Sequence, residues 1–403
     1  MIIAKELCSG CHTCISICQK KCILMQSDSE GFWYPAKKDA SNCTNCAECE
    51  KSCPVANTFE VQNVPIAYAA YNRDEQIRFE SSSGGIFSLL AEWTIDNGGV
   101  VFAACFDSDF SVVHDFVEKK EQLQKMRGSK YVQSKIGDSY ELAKGFLEAG
   151  RYVLFTGTPC QVGGLKAYLG KEYDNLVAQD LICHGVPSPK VWQKYVEYRV
   201  KHAGSKPEKV SFRHKKYGWK RFAMFFLFEN GMESFHTLDQ DLMLQAFLKN
   251  SCLRPSCHNC SYKTIHRQSD ITLADFWGIN NDLGYTDDDS GISLVFVNSD
   301  KGETTFNFIR HDLICEVTDL NTAIINNPTA VKSVLPNEKR AEFFSKLDDL
   351  EFDVLVKKYC AEEKTTKIKR FLDSLVYVVK TYGVVGVVKK LISRRKGNDI
   401  KKP

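Results

Sequence analysis

The sequence predicts an α/β protein. From Ile86 onward, segments with the apolar period of a helix, such as Ile86–Asp96 and Pro189–Lys201, alternate with short buried strands, such as Val100–Cys105 and Leu176–Cys183. This alternation favours a largely parallel sheet covered by helices. A cysteine-rich region precedes it and ends in a polar linker closed by Pro65. We therefore expect a small N-terminal domain of the α+β class and a larger α/β domain.

The remaining elements follow from the same periodicities. Further helices are predicted at Tyr140–Leu147 and Gln161–Leu169, and further strands at Tyr152–Phe155, Ile271–Leu273 and Ile292–Val297, with Val210–Phe228 aromatic and β-prone. The predicted divisions are residues 1–58, 64–147, 148–345 and a helical, basic tail, 346–403.

Composition excludes several classes of protein. The chain has 403 residues, 43% hydrophobic and 26% charged, as globular proteins do. Residues 363–403 carry 12 basic and 3 acidic side chains, whereas the whole chain has a net charge of +3, so the body is mildly acidic and no nucleic-acid partner is expected. We expect neither a signal peptide nor a transmembrane helix. The 17 cysteines are then expected in the reducing cytoplasm, where metal sites are commoner than disulfides.

Two cysteine runs repeat with an offset of 35 residues and have the spacing C-x2-C-x2-C-x3-C. This is the pattern of bacterial ferredoxins with two 4Fe-4S clusters, in which the fourth cysteine of each run ligates the other cluster. The predicted ligands are therefore Cys8, Cys11, Cys14 and Cys53 for the first cluster, and Cys18, Cys43, Cys46 and Cys49 for the second.

A structural zinc site is the alternative, but zinc prefers two separated pairs of ligands and fits complete triples poorly. The second run continues with Pro54, whereas Gln19 stands where the first run usually has proline, which weakens a turn but removes no ligand. Cys22 is interpreted as a packing thiol.

Several later motifs together resemble a known family. They are Ser81–Gly85 (SSSGG), Arg127–Tyr131 (RGSKY), Thr156–Gln161 (TGTPCQ), Asp180–Pro187 (DLICHGVP), Leu253–Cys260 (LRPSCHNC) and Asp270–Gly278 (DITLADFWG). The chain resembles, over residues 1 to about 345, the β-subunit family of coenzyme F420 hydrogenases and dehydrogenases, whose coenzyme is a deazaflavin. The resemblance implies a bound flavin, FAD, and a further 4Fe-4S cluster beside it.

The residues themselves suggest where that third cluster would bind. Cys160 and Cys183 follow predicted strands, and ligand sites of open parallel sheets form at the carboxyl ends of strands. With the C-x2-C pair Cys257 and Cys260, they give four thiolates that we predict as ligands. Four unrelated buried thiols are the alternative, and Cys252 is a rival fourth ligand. Cys105, Cys315 and Cys360 are interpreted as structural.

The flavin site is predicted from small and polar residues at the same edge. Ser82, Ser83, Gly84 and Gly85 precede a helix whose N-terminus favours an anion such as the flavin pyrophosphate, with a plain helix cap as the alternative. The other predicted cofactor contacts are Thr156, Gly157, Thr158, Gln161, Asp275 and Trp277, although Trp277 also suits a core position.

Two side chains are predicted to be catalytic. Lys130 would stabilise negative charge on a reduced flavin or a phosphate, and His184 would relay protons near neutral pH. A solvated surface lysine is the alternative for Lys130. The chain contains neither G-x-G-x-x-G nor G-x-x-x-x-G-K-[ST], so the dinucleotide and nucleoside-triphosphate fingerprints give no support to a standard nucleotide site.

The predicted function is an iron–sulfur flavoprotein oxidoreductase. It would couple two-electron flavin chemistry on a small-molecule substrate to one-electron transfer through the clusters, with a ferredoxin or a redox subunit as partner. Two alternatives remain: a non-catalytic electron-relay subunit, and an accessory redox protein of envelope polysaccharide biosynthesis. Some members of the family reduce chlorophyll-type pigments, so the fold alone does not name the substrate.

The basic C-terminus predicts a weak peripheral contact with a membrane, at the inner face. Residues 368–392 combine apolar side chains with a cluster of lysines and arginines, a composition suited to an anionic membrane surface. A helix packed on the main domain is the alternative, because Gly383 and Gly386 weaken an isolated helix. We expect the full chain to sediment with anionic vesicles at low salt and not at high salt. A chain ending near Glu363 should not sediment, and equal behaviour of the two chains would contradict the contact.

Overall fold

The computed structural model describes residues 3–38, 41–57, 61–279 and 288–360. The strands are β1 Ile23–Ser27, β2 Trp33–Lys37, β3 Ile66–Asn72, β4 Val100–Phe106, β5 Val112–Val117, β6 Val153–Thr156, β7 Leu176–Leu181, β8 Pro207–His214, β9 Ala223–Phe228, β10 Glu233–Thr237, β11 Ile271–Asp275, β12 Ser293–Val297 and β13 Leu313–Thr318. The helices are α1 Thr13–Ser16, α2 Glu48–Lys51, α3 Glu75–Glu80, α4 Ile86–Asp96, α5 Ser139–Glu148, α6 Pro159–Leu169, α7 Pro189–Ala203, α8 Leu242–Leu248, α9 Asp300–Ile309, α10 Leu320–Ile325, α11 Arg340–Ser345 and α12 Phe352–Tyr359.

The central sheet has eight strands in the order β13-β3-β12-β11-β7-β6-β4-β5. The α/β class is confirmed, but the expectation of a largely parallel sheet was wrong. Only the neighbouring strands β4, β6, β7 and β11 pair in parallel, whereas β5, β12, β3 and β13 pair antiparallel on the two flanks. A short turn between β4 and β5, in which Asp107 accepts hydrogen bonds from the N–H groups of Asp109 and Ser111, produces one antiparallel pair.

Helices cover both faces of this sheet. Helix α4 has the predicted bounds and buries Ile86, Leu89 and Leu90, the i, i+3, i+4 spacing of an apolar face, in a cluster that includes Phe306 of α9. On the other face, α5 and α6 pack against the side chains of β4 and β6. The divisions 64–147 and 148–345 therefore contribute strands to one sheet.

A second, three-stranded sheet has the order β10-β9-β8. It shares a core with α7, α8 and α12, in which Trp192 and Phe226 are fully buried. Residues 352–360, at the start of the predicted tail, contribute Phe352, Leu355 and Cys360 to this core. Residues 361–403, with the predicted membrane contact, lie outside the described residues.

The N-terminal region repeats its backbone as well as its cysteines. Helices α1 and α2 are offset by the same 35 residues as the cysteine runs. Gly10 and His12 have φ of 68° and 70°, and their counterparts Asn45 and Ala47 have φ of 54° and 61°. Each run thus has left-handed residues at the same two positions before its short helix. The antiparallel hairpin of β1 and β2 separates the runs.

Candidate functional site

The carboxyl ends of β3, β4, β6, β7 and β11 meet at one edge of the central sheet, because β3 runs in the same direction as β11 although β12 lies between them. The predicted cofactor residues follow these ends: Ser82–Gly85 bonds back to the end of β3, Thr156–Gln161 follows β6, Cys183 follows β7, and Asp275 ends β11. Ligand sites in open α/β sheets form at this edge. The topology thus brings together residues that are about 200 positions apart in sequence.

Four cysteines line a cavity of about 250 Å³ at this edge. They are the predicted ligands of the third cluster: Cys160, Cys183, Cys257 and Cys260. We call this set the third site. Cys160 lies in the first turn of α6, whose N-cap Thr158 approaches its sulfur at 3.2 Å. The rival ligand Cys252 is fully buried in the neighbouring apolar core and does not line the cavity.

Polar groups surround these thiols. The N–H of Val186 donates to Cys257 Sγ at 3.4 Å, and the ammonium of Lys263 donates to the carbonyl oxygens of Cys183 and Thr329. Burial raises the pKa of Cys257 to about 12 and also raises the pKa of Cys160 and of Cys183. Cys160, Cys183 and Cys257 therefore resist ionisation without a cation, whereas bound iron stabilises thiolates.

The four cysteines around the cavity offer thiols alone as donors. In the described ranges, no three His, Cys, Asp or Glu side chains converge closely enough to ligate one metal ion. A cubane instead takes one thiolate at each of four iron corners, so its ligands surround a cavity. The thiol-only donor set and the cavity therefore fit a 4Fe-4S cluster, and Cys160, Cys183, Cys257 and Cys260 would hold it.

The predicted exchange of ligands between the N-terminal runs agrees with the geometry. Cys53 of the second run lines a small cavity of about 20 Å³ together with Cys8, Cys11 and Cys14. These four thiols also act on one another electrostatically. Burial is the largest cause of the raised pKa of Cys11 and of Cys14, and the nearby thiols of Cys8 and Cys53 raise both pKa values further. We call this set the first site.

The other four N-terminal cysteines form a more exposed group, the second site. Cys49 interacts with Cys18 and Cys46, and Cys46 is exposed to solvent. Cys22, interpreted from sequence as a packing thiol, lies with its sulfur 3.4 Å from that of Cys18 and also acts on Cys43. It is therefore a neighbour of the second site.

Helix α6 joins the third site to the first. Cys160 lies in its first turn, and a Cβ at Gly164, one turn later, would lie 3.0 Å from Cys11 Cβ and 2.8 Å from Thr13 Oγ1. Thr13 Oγ1 donates to the Gly164 carbonyl oxygen at 2.9 Å. One helical turn rises about 5.4 Å. The ligands of the two sites are thus separated by one turn of a helix.

Arg254 holds the N-terminal region on the main body from inside. Its fully buried guanidinium donates to the carbonyl oxygens of Cys8 at 2.7 Å and Trp33 at 3.0 Å, and to Gln133 Oε1 at 3.0 Å. It lies 4.2 Å from the ring centroid of Tyr34. This role was not predicted from sequence, although Arg254 is three residues from the predicted ligand Cys257 in the LRPSCHNC motif.

The run Ser81–Gly85 enters α4 without a side-chain cap. The N-cap is Gly85, in a left-handed conformation with φ of 86°, and no side chain accepts from the first N–H groups of the helix. Ser82 Oγ instead accepts from the N–H of Ser129 at 2.8 Å, and a Cβ on Gly84 would lie 2.5 Å from the Ala70 carbonyl oxygen. The helix cap considered from sequence is therefore not made by these serines.

The run Thr156–Gln161 has local structural partners. Thr158 and Gln161 form a capping box at the start of α6, and the Thr156 carbonyl oxygen lies 2.9 Å from His114 Nε2. A Cβ at Gly157 would lie 3.1 Å from Gln161 Cβ. The flavin contacts predicted for these residues stay predictions.

Strand β8 and the residue that follows it add two cations that were not predicted from sequence. Arg213 donates to both oxygens of Asp275, at 2.7 and 3.2 Å, and Trp219 Nε1 donates to Asp275 Oδ1 at 2.9 Å. The Lys215 ammonium donates to the carbonyl oxygens of Arg78, Ser83 and Ser290, each at 2.6 Å. Burial lowers the pKa of Lys215 to about 7.

Trp277 lies beside this group and is only partly buried. Its ring stacks on Trp219 at a centroid distance of 4.7 Å with 4° between the planes, and the Arg213 guanidinium lies 5.6 Å from it. The core position considered from sequence belongs instead to the neighbouring Phe276, which is fully buried. A half-exposed aromatic face beside a cation suits a planar cofactor.

The two predicted catalytic residues already have partners. Lys130 Nζ donates to the carbonyl oxygens of Lys125, Met126 and Arg127, and burial lowers its pKa to about 8. His184 lines the third-site cavity, with Nε2 at 2.7 Å from Asn250 Oδ1, and burial lowers its pKa. Their catalytic roles stay predictions.

Comparison with known families agrees with this architecture. Residues 67–139 match the family model of the coenzyme F420 hydrogenase/dehydrogenase beta subunit N-terminus, and residues 150–323 match that of its C terminus. The two matches cover more than half of the chain. The chain belongs to this family. The family is one of iron–sulfur redox subunits, and its members are parts of oxidoreductases.

No curated protein is significantly similar to the chain. Among solved structures, the F420-reducing NiFe hydrogenase complex from Methanosarcina barkeri contains a chain 20% identical in sequence, with a TM-score of 0.44, covering 66% of this chain and 91% of its own. Within the described ranges, no helix is long and apolar enough to cross a membrane.

Proposed function

We propose that this member of the family is an iron–sulfur flavoprotein oxidoreductase, with FAD at the carboxyl edge of the central sheet and 4Fe-4S clusters at the three cysteine sites. The flavin would supply two-electron chemistry and the clusters one-electron transfer. The observation that carries the proposal is helix α6, which places Cys160 of the third site one turn from Gly164, against Cys11 of the first. The first site therefore lies beside the third, and Cys49 of the second site acts on Cys14 of the first.

The three sites differ in exposure. Cys8, Cys11 and Cys53 of the first site are buried, the third-site cysteines are partly exposed around their cavity, and Cys46 of the second site is exposed. A redox partner, a ferredoxin or another subunit, would approach the second site because electron transfer requires close contact. The small-molecule substrate would bind beside Trp277.

The residues at the carboxyl edge have the features of a dinucleotide site. The uncapped start of α4 offers N–H groups to a pyrophosphate, and Lys215 fixes the loop before it by binding the Ser83 carbonyl oxygen. Arg213 and the exposed part of Trp277 would lie against the planar ring system. The protein's contribution is to hold and orient the cofactor and to exclude water.

Anaerobic purification with iron, sulfide and flavin quantified together tests this function. Three cubanes correspond to about twelve irons per chain. We expect this iron content, and we expect the protein to release FAD on denaturation. Full iron without flavin, even after reconstitution with FAD, would favour the electron-relay alternative. A turnover assay with a panel of substrates would separate the oxidoreductase from the accessory protein of polysaccharide biosynthesis.

A charge-removing substitution tests the flavin site separately from the clusters. Lys215→Met removes an ammonium that three carbonyl oxygens share, including that of Ser83. The loop before α4 should then lose its fixed conformation, and FAD content should fall several-fold while iron content stays unchanged. Lys209→Met, at an exposed position of strand β8, which ends just before Lys215, is the matched control and should retain both. Unchanged FAD in Lys215→Met would place the flavin elsewhere.

A further inference from the structure

A buried hydroxyl without a partner lies between the first and third sites. The side chain of Tyr262 lies two residues after Cys260 and lines the third-site cavity. Its hydroxyl oxygen is shielded from solvent and has no hydrogen-bond partner within the described residues. Burying a hydroxyl without a partner costs free energy, so each such group in a folded protein needs an explanation.

The surroundings of this hydroxyl come from both sites. The ionisable groups that act on it are the thiols of Cys11 and Cys53, from the first site, and of Cys160 and Cys260, from the third. The ring packs directly over α6, where a Cβ on Gly163 would lie 2.5 Å from the hydroxyl oxygen. The glycine thus makes room for the phenol at this position between the two sites.

We propose that the Tyr262 hydroxyl donates a hydrogen bond to a sulfur of one of the two clusters that it separates, and that it raises the reduction potential of that cluster. The inference rests on the clusters of the proposed function. A tyrosine is ordinarily protonated near neutral pH and can donate its O–H. Reduction adds negative charge to a cluster, and a donor to its sulfur stabilises that charge, which is how hydrogen bonds set cluster potentials.

The neighbouring Tyr140 shows what an ordinary hydroxyl does in the same place. It also lies near Cys11 and Cys160, but its hydroxyl donates to the Gln161 carbonyl oxygen at 2.8 Å. Its proton is therefore not available to a cluster. The two tyrosines share a location and differ in whether the protein itself accepts their hydrogen bond, so Tyr140 is a matched control.

The test is a redox titration of the anaerobic holoprotein, in which electron paramagnetic resonance monitors the reduction of each cluster. In Tyr262→Phe, the reduction potential of one cluster at the first or third site should shift to a lower value, with the second site unchanged and iron still at about twelve per chain. Tyr140→Phe should leave all potentials unchanged. Unchanged potentials in Tyr262→Phe, or equal shifts in both variants, would overturn the proposal.

A second variant keeps the test decisive if Tyr262→Phe loses iron. Tyr262→His replaces the phenol by a smaller ring with an N–H donor, and it should keep its iron and recover part of the shift. If both variants lose iron from these sites, Tyr262 serves only to pack them and the proposal fails. A wild-type protein without a third cluster would instead contradict the proposed function, before any variant is compared.

Discussion

Replacing Cys160 with alanine is expected to lower the iron content from about twelve to about eight atoms per chain, the loss of one cubane. Cys160 is one of four thiols around the third-site cavity, and three remaining ligands leave one iron corner without a thiolate. The N-terminal clusters should survive because all their ligands lie between Cys8 and Cys53. Iron and sulfide analysis of anaerobically prepared protein, with the signals of the N-terminal clusters recorded in parallel, provides the measurement.

Cys252→Ala is the matched control for this experiment. Cys252 is a buried thiol only five residues from Cys257, but it lies in the core beneath α7 and α8 rather than in the cavity. The Cys252→Ala protein should keep about twelve irons per chain. Full iron in the Cys160 variant would remove Cys160 from the ligand set. Loss of iron in the Cys252 variant would instead return Cys252 to that set.

Replacing Arg254 with alanine is expected to release the N-terminal region from the main body. The substitution leaves the carbonyl oxygens of Cys8 and Trp33 and the side-chain oxygen of Gln133 without their charged donor. Hydrogen bonds to charged groups contribute about 1.5–3 kcal/mol each, so we expect a loss of about 3 kcal/mol or more. Thermal unfolding should begin several degrees lower, and limited proteolysis should cleave near residues 58–64 sooner.

An exposed arginine supplies the control for this substitution. Arg310 lies on the surface of the main body, 5.8 Å from the ring centroid of Tyr68. Arg310→Ala should change stability by at most about 0.5 kcal/mol, as surface substitutions usually do. Similar stability of the two variants, with equal resistance of the N-terminal region to protease, would show that other contacts hold the regions together.

The elements that sequence predicted well are those whose signal is local. Helix α4 carries its apolar period and its glycine stop within a few residues, and the cysteine spacing encodes the grouping of Cys53 with the first run. The antiparallel flanks were missed because strand direction depends on which segments meet in space. Strand β3, for example, pairs with β12 and β13, more than 200 residues later.

The residues of the candidate site also differ in whether their signal is local in the sequence. The gathering of Cys160, Cys183, Cys257 and Cys260 around one cavity could be predicted because the sequence shows two cysteines after strands and a C-x2-C pair. Their role as cluster ligands stays a prediction. Lys215, Arg254 and Tyr262 could not be predicted, since each acts through a partner that only the fold brings near it. The contacts of Lys215 with Ser83 and of Arg254 with Cys8 span 132 and 246 residues. No periodicity or spacing reports such a pairing.

The distribution of ligands along the chain has a consequence for how the protein acquires its iron. The N-terminal ligands all lie within the first 53 residues, whereas the third-site ligands extend from Cys160 to Cys260 and meet only after β6, β7 and the segment beyond β10 are in place. Domains near the N-terminus generally fold first during synthesis. We therefore expect the ferredoxin-type clusters to be inserted while the rest of the chain is still on the ribosome, and the third cluster to be inserted only after release.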